Sequence, residues 1–259
     1  MMSRTMRGRT ALVIGASGGI GRAVALAFAR EGADVALAGR DAGTLEHLAD
    51  NCRDENVSVV TSAFDITDES ACLDAVEAVT RRLGAPNVLV NAAGVADTRQ
   101  FSDITVDLWR SVMRVHVEGP LVLMRAVIPP MVSTGGGAIV NVGSAASVVG
   151  LPYAAPYTAA KHALLGLTRS AAAEYADRGI TVNCVCPYYV DTPMTQRAIA
   201  ERMQAKGCDY EEAIRPLLNP QRRLTSAEEV AAACVLLASP GGAAINGQAL
   251  HVNGGKVQG

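Results

Sequence analysis

Short apolar runs alternate with stretches in which apolar residues recur every three to four positions, and this beat occupies the first two thirds of the chain. Thr10–Ile14 is a run of strand length, too short for a helix. Glycines follow, then a helical pattern through Val24, Phe28 and Ala29 that stops at Gly32, where a residue tolerant of positive φ is expected. The alternation predicts further strands at Asp34–Ala38, Val57–Phe64, Asn87–Asn91, Ala138–Val142 and Thr181–Cys186. Helices are predicted near Ala42–Asp54, over Asp68–Leu83, around Val106–Val132 and over Ala155–Asp177, with Gly84, Gly135–Gly137 and Gly179 between elements.

Strands separated by helices of this length must pair in parallel through right-handed crossovers. Apolar strands covered on both faces then imply an α/β, Rossmann-type doubly wound sheet, mostly parallel and seven-stranded, in a single domain spanning residues 1–259. After Cys186 the rhythm breaks. Residues 194–222 are polar and helical in pattern, interrupted by Pro216 and Pro220, and are expected to form a lid. Thr225-Ser-Ala-Glu228 reads as a capping box opening another helix, and Ala249–Val252 as a last strand.

Composition narrows the class. Apolar residues make up 49% and charged residues 19%, which is globular, and the net charge of -2 gives no broad electrostatic reason for nucleic-acid or membrane binding. The basic arm Met1–Arg9 runs straight into the first strand, and no apolar stretch is expected to approach membrane-spanning length, so a cytoplasmic protein is expected. The six cysteines lack the spacing of a disulfide framework or zinc knuckle. Cys184 and Cys186 face one way on a strand, but two thiols make a poor metal site, so they are read as packing residues and no metal is expected.

Gly15-Ala-Ser-Gly-Gly-Ile-Gly21 joins the first strand to the first helix. Glycines there let backbone amides approach a diphosphate, and the helix N-terminus adds partial positive charge. At the end of the second strand an acid would bond the adenine ribose and repel a 2′-phosphate, whereas an arginine would do the reverse. Gly39 and Arg40 stand there, which favours NADP(H); Asp41, one residue on, keeps NAD(H) open.

Tyr157 and Lys161 are four apart on a predicted helix and share a face. Reduction of a carbonyl needs a proton for the developing alkoxide; a phenol can supply it, and a nearby ammonium would bring its pKa toward a useful range. Ser144, at a strand end, can hold the substrate oxygen.

Taken with Asp65, Asn91-Ala-Ala-Gly94 and Asn183-x-x-x-Pro187 followed by Thr192, these pieces resemble the short-chain dehydrogenase/reductase family in order and spacing, the serine thirteen before the tyrosine. The segments around Ala155–His162 and Asn183–Pro187 resemble ketoreductases of aromatic polyketide synthesis and 3-ketoacyl-thioester reductases. The resemblance implies that Gly15, Ser17, Gly19, Ile20 and Gly21 hold the diphosphate side and that Asp65 and Ile66 contact adenine. It implies that Asn91, Gly94 and Pro187 line the groove, that Lys161 also holds the nicotinamide ribose, and that Val190 and Thr192 grip the carboxamide. A homotetramer is the family's common state.

Three positions depart from the family pattern. Ile14 replaces a threonine before the first glycine, and Tyr188 replaces a glycine after Pro187. His116 stands where the family's fourth catalytic member is normally asparagine. It either keeps a proton relay, since histidine donates and accepts, or is structural.

Tyr153, Tyr188, Tyr189 and Met194 fall near Tyr157 in the implied pocket, which suggests a bulky, cyclic or aromatic ketone unless the rings pack under the lid. Lys206, Arg215, Arg222 and Arg223 would either receive the phosphates of an acyl thioester or form a solvated face. The expected reaction is hydride transfer between NADP(H) and a ketone or secondary alcohol. The alternatives are an oxidative NAD-dependent alcohol or 3-hydroxyacyl dehydrogenase and a non-catalytic nucleotide-binding sensor. Ser144, Tyr157 and Lys161 together favour catalysis, because a pure binder has no need of all three.

Overall fold

A computed structural model describes residues 4–258; the start of the basic arm and the final glycine lie outside the described residues. Strands β1 (Thr10–Ile14), β2 (Asp34–Gly39), β3 (Val59–Ala63), β4 (Val88–Asn91), β5 (Gly137–Val142), β6 (Ile180–Pro187) and β7 (Ala249–Val252) form one seven-stranded sheet. Its order is β3-β2-β1-β4-β5-β6-β7, and every pairing is parallel, where the sequence predicted a mostly parallel sheet. The chain runs outward from β1 to β3 and returns to place β4 on the other side of β1. That reversal opens a crevice at the C-terminal ends of β1 and β4, where ligands of open α/β sheets bind.

The continuous apolar strands serve two cores at once. Along β1, Ala11 and Val13 face α1 (Gly19–Arg30), α2 (Ala42–Arg53) and α9 (Ala227–Ala238), which contribute Phe28, Leu45 and Val230. Leu12 and Ile14 face the opposite layer, where α3 (Glu69–Leu83) and α5 (Gly119–Ser133) supply Val76, Leu123, Val127 and Met131. The period of two along a strand is what divides one apolar run between two layers.

Two expectations need correction. The helix predicted around Val106–Val132 forms, as α4 (Val106–Met113) and α5 joined by a π-turn over Arg114–Glu118; the reading that no stretch approaches membrane-spanning length is what fails, since Val106–Ser133 is one continuous helix, long and apolar enough to cross a membrane by length and composition. Its apolar residues are instead spent on the sheet: Leu123, Met124, Val127, Ile128 and Met131 are buried against it. The capping box lies one residue later than predicted, with the Ser226 hydroxyl accepting from Glu229 N and the Glu229 carboxylate accepting from Ser226 N. Thr225 is buried and bridges to Val190 instead.

Beyond β6 the excursion is helical, with α7 (Pro193–Lys206) and α8 (Tyr210–Ile214) around a small core of Ile199, Ala213 and Leu217. The remaining helix, α6 (Ala155–Tyr175), runs beside β6 and carries Tyr157 and Lys161 on its first turns.

Candidate active site

Gly15 has φ +79°, and a Cβ there would lie 2.6 Å from Ala93 N, so only glycine lets the first turn touch the Asn91–Gly94 segment. A Cβ on Gly21 would be driven into the Gly15 carbonyl oxygen. A Cβ on Gly19 would stand 2.5 Å from Thr192 Cγ2, so the loop and the residue that caps α7 are in contact. Gly18 caps α1 without a side chain, which leaves the leading amides of that helix, at Gly19, Ile20 and Gly21, without a side-chain partner. Ile14 lacks the bracing hydroxyl, yet the loop is held by backbone: Gly15 N and Ala16 N both donate to Ala38 O, at 2.8 and 2.9 Å.

At the end of β2, a Cβ on Gly39 would come within 2.7 Å of Ser17 Oγ, so Ser17 and the exposed Arg40 flank one bare stretch of backbone. Asp41 is occupied otherwise: its carboxylate caps α2, accepting from Thr44 N at 2.8 Å, and this bond holds its pKa below the usual carboxylate range. Asp65 Oδ1 accepts from both Thr67 N and Thr67 Oγ1 at 2.8 Å, which lowers its pKa, with Arg40 and Arg114 adding to the effect. Ile66 is buried against Gly119.

Asn91 is 3% exposed and donates through Nδ2 to Asn141 Oδ1 at 2.8 Å; Asn141 passes the bond on to Thr168 Oγ1 at 2.9 Å. Asn91 Oδ1 is buried without a protein partner. Such an orphaned acceptor is costly unless a ligand hydroxyl or water meets it. The glycine cradle, the uncapped helix end and this acceptor line one crevice, and together they fit a dinucleotide.

The chemical groups come from three elements. Ser144, just past β5, is 9% exposed, and its hydroxyl accepts from Ala146 N at 3.1 Å, while Ser144 N donates to Ser147 Oγ at 3.2 Å. Lys161 is 4% exposed and donates to Val142 O at 2.7 Å, with its Nζ 5.6 Å from the Tyr157 ring centroid. Burial pulls Lys161 down to about 8. Burial pushes the Tyr157 phenol up to about 12, with the Ser144 hydroxyl opposing it. The depression expected from Lys161 does not appear and desolvation dominates, so the Tyr157 phenol is protonated at neutral pH.

His116 sits in the π-turn, 1% exposed, its ring edge-on to Tyr157 at 5.3 Å. Nε2 is 2.8 Å from Val95 O and 3.2 Å from Val95 N, so the ring latches the backbone that follows Gly94. A Cβ on Gly94 would meet His116 Cε1 at 2.9 Å. Burial first, and Lys161 second, drive the imidazole pKa down to about 3, while Nδ1 is buried without a protein partner. His116 is therefore neutral throughout the physiological range.

Thr192 caps α7 and also bonds Val190 O at 3.3 Å; Pro187 ends β6, which carries Val190 toward the glycine loop. The expected aromatic wall is only partly free. Tyr189 packs into the lid core, and Tyr188 stacks edge-on against it at 4.8 Å while donating to Pro216 O at 3.3 Å. Tyr153 is 64% exposed at φ +63°, its carbonyl accepting from Arg99 N at 2.8 Å, and Met194 is also exposed. Of the four basic residues expected to meet an acyl thioester's phosphates, Arg223 is paired with Glu229 at 2.6 Å; Lys206, Arg215 and Arg222 face solvent. Cys184 and Cys186 are buried with sulfurs 3.7 Å apart beneath Gly143, as packing residues would be.

Sequence reasoning missed Asn141, Thr168 and the Val142 carbonyl, which hold Asn91 and Lys161 in place. An asparagine inside the buried run Ala138–Val142 was the available signal, since a buried amide must have partners.

Residues 9–203 match the family of short chain dehydrogenases. The ketoacyl reductase assigned to the monensin polyketide synthase of Streptomyces virginiae is 37% identical over 256 residues, covering 95% of this chain and 96% of that protein. D-beta-hydroxybutyrate dehydrogenase of Rhizobium meliloti is 32% identical over 252 residues, covering 95% and 98%. The crystal structure of L-sorbose reductase from Gluconobacter frateurii, complexed with NADPH and L-sorbose, superposes with a TM-score of 0.94 at 29% identity and covers all of both chains.

Proposed function

The chain belongs to the short-chain dehydrogenase family and is an NAD(P)-dependent oxidoreductase of alcohols and ketones, and from that premise we propose that it works as an NADP(H)-dependent ketone reductase with Tyr157 as proton donor. The observation that carries this reading is the meeting of a protonated, half-buried phenol with Ser144 and Lys161 beside the cofactor crevice. A bound nicotinamide dinucleotide supplies the hydride that adds to the carbonyl carbon. Ser144 orients the carbonyl oxygen, and Tyr157 Oη gives that oxygen its proton as negative charge develops. Lys161, held by Val142 O, keeps a positive charge behind the phenol and steadies the phenolate left behind. Asn91 and the Gly15–Gly21 turn position the cofactor; His116 acts by holding Val95, and its neutral Nδ1 can carry a hydrogen bond of a proton relay without becoming charged.

Arg40 supports NADP(H), because Asp41, the one acid that could read an unphosphorylated ribose there, is spent on capping α2. The relatives' names span ketoacyl, hydroxy-acid and sugar chemistry, and a bulky or cyclic ketone or a 3-ketoacyl thioester suits the open Tyr153 and Met194 side of the pocket. Exposed Val106, Trp109 and Leu121 along Val106–Ser133 support a homotetramer, and six free cysteines support a reducing, cytoplasmic setting.

Fluorescence titration with NADPH and NADH, followed by a ketone panel with the tighter one, tests the reading. NADPH is expected to bind at least ten-fold more tightly, and Arg40→Asp to reverse the order. Tighter NADH binding would point to oxidative work with NAD; binding without turnover on any ketone would point to a sensor.

A further inference from the structure

The inner face of α7 is defined by Thr195, Ile199 and Met203, which turn toward the protein, while Gln196, Arg197, Ala198 and Ala200 are exposed. Arg202 continues that inner face, three residues after Ile199 and seven after Thr195. A cation on the inner stripe of a helix normally brings its own carboxylate. Arg202 does not. Its Nε is buried with no hydrogen-bond partner, and its guanidinium takes part in none of the ion pairs among the described residues.

The lid's carboxylates are committed elsewhere. Asp209 caps α8 through Glu212 N at 2.8 Å, and Asp191 accepts from Gln196 Nε2 at 2.7 Å. Glu201, Glu211 and Glu212 are exposed.

What lies next to Arg202 ties it to the chemistry. Tyr189 packs into the same lid core, and the guanidinium is near enough to pull its pKa down against the upward push of burial and of Tyr188. Tyr189 stands two residues past the end of β6, the strand on which α6 and its Tyr157 pack, and it adds to the upward push on that phenol. On the other side of the tyrosine pair, Lys256 Nζ stands 5.1 Å over the Tyr188 ring. The two edge-on rings past the end of β6 thus have a cation at either side, Arg202 by Tyr189 and Lys256 by Tyr188. The cofactor's phosphates do not account for Arg202, because the diphosphate loop meets α7 at Thr192, ten residues earlier and about 15 Å along the helix.

We propose that Arg202 is a specificity-determining residue that receives the carboxylate of the substrate, so that the enzyme's preferred substrates are keto acids and their hydroxy-acid products. This rests on Tyr157 being the proton donor to the carbonyl. A carboxylate at Arg202 meets an unpartnered guanidinium and forms a charge-assisted hydrogen bond in a site partly screened from water. A neutral ester or hydroxyl oxygen of the same size can also accept from Nε, but without the charge assistance that roughly doubles the strength of the bond.

The test compares ketones in which a carboxylate is replaced by a neutral hydroxymethyl group or methyl ester: 5-keto-D-gluconate against L-sorbose, and levulinate against methyl levulinate, by kcat/KM with NADPH. At least a ten-fold preference for the acid in each pair is expected. Arg202→Met should bring the acid-to-neutral ratio close to one, and Arg202→Lys should restore most of it. Equal rates within each pair for the wild type, or an Arg202→Met variant that keeps the ratio, would overturn the proposal. The wild-type comparison stands by itself if Arg202→Met fails to fold. If no ketone reacts, the reductase reading has failed, and calorimetry of glutarate against the NADPH complex decides Arg202 separately. Binding that Arg202→Met weakens ten-fold upholds the carboxylate site, and no binding to the wild type removes it.

Discussion

At the ends of β1 and β4, contact is made by backbone and by the absence of side chains: Gly15 touches Ala93, Gly21 packs on Gly15, and two amides share Ala38 O. Across the crevice, the lid depends on what its side chains do after folding. Tyr189 turns into the small core of Ile199, Ala213 and Leu217, Tyr188 is tied to Pro216 O, and Arg202 is left with an unpartnered nitrogen. The comparison teaches that a site for a constant ligand can be written in glycines at set spacing. A site that selects among substrates is written in side chains whose partners come from elsewhere in the chain.

The largest effect is expected at the point where the two regions meet. Tyr157→Phe removes the proposed proton donor while keeping the ring against His116, and should lower kcat by roughly 10²–10⁴-fold with little change in NADPH affinity. Equal loss of NADPH affinity would show that the phenol belongs to the cofactor region instead.

Gly21→Ala comes next. Its methyl must displace the Gly15 carbonyl, which should cost about 1–3 kcal/mol of stability and weaken NADPH by more than ten-fold, read by thermal melting and fluorescence titration. A loop that accepts the methyl without loss would break the contrast between a rigid backbone site and an adjustable lid.

The smallest effect is one of pH. His116 titrates at about 3 in the folded chain, against about 6.5 for a free imidazole, so the unfolded state binds the extra proton between those values. The stability tied to keeping it neutral is present above about 6.5 and lost as pH falls toward 3. His116→Asn should move the acid-unfolding midpoint, followed by circular dichroism, to lower pH. The same shift means that His116 adds no limb to the pH–rate profile between 6 and 9. A fall as pH rises through about 8 is expected instead, as Lys161 loses its proton. A limb near pH 6.5 that vanishes in His116→Asn would restore a charged relay for the histidine.

Much of this protein was legible before folding. The alternation of strand-length runs with helical periods determined the doubly wound sheet, because a strand apolar on both faces has few other places to go. The glycine spacing and the Ser144, Tyr157 and Lys161 set determined the reaction class, since those groups act through local geometry: a turn, a helix face, a strand end. Arg40 past β2 was visible in the sequence, but that Asp41 caps α2 was not.

Tertiary structure alone decided the rest. The π-turn at Arg114–Glu118 rotates His116 onto Val95, and no periodicity in the helix announces it. The phenol pKa rises where the neighbouring lysine suggested a fall, because desolvation is a property of everything packed around the group and not of its nearest charge. The meaning of Arg202 was invisible for the same reason. A lone arginine in a polar helix reads as solvated until the fold turns it inward and supplies no carboxylate to meet it.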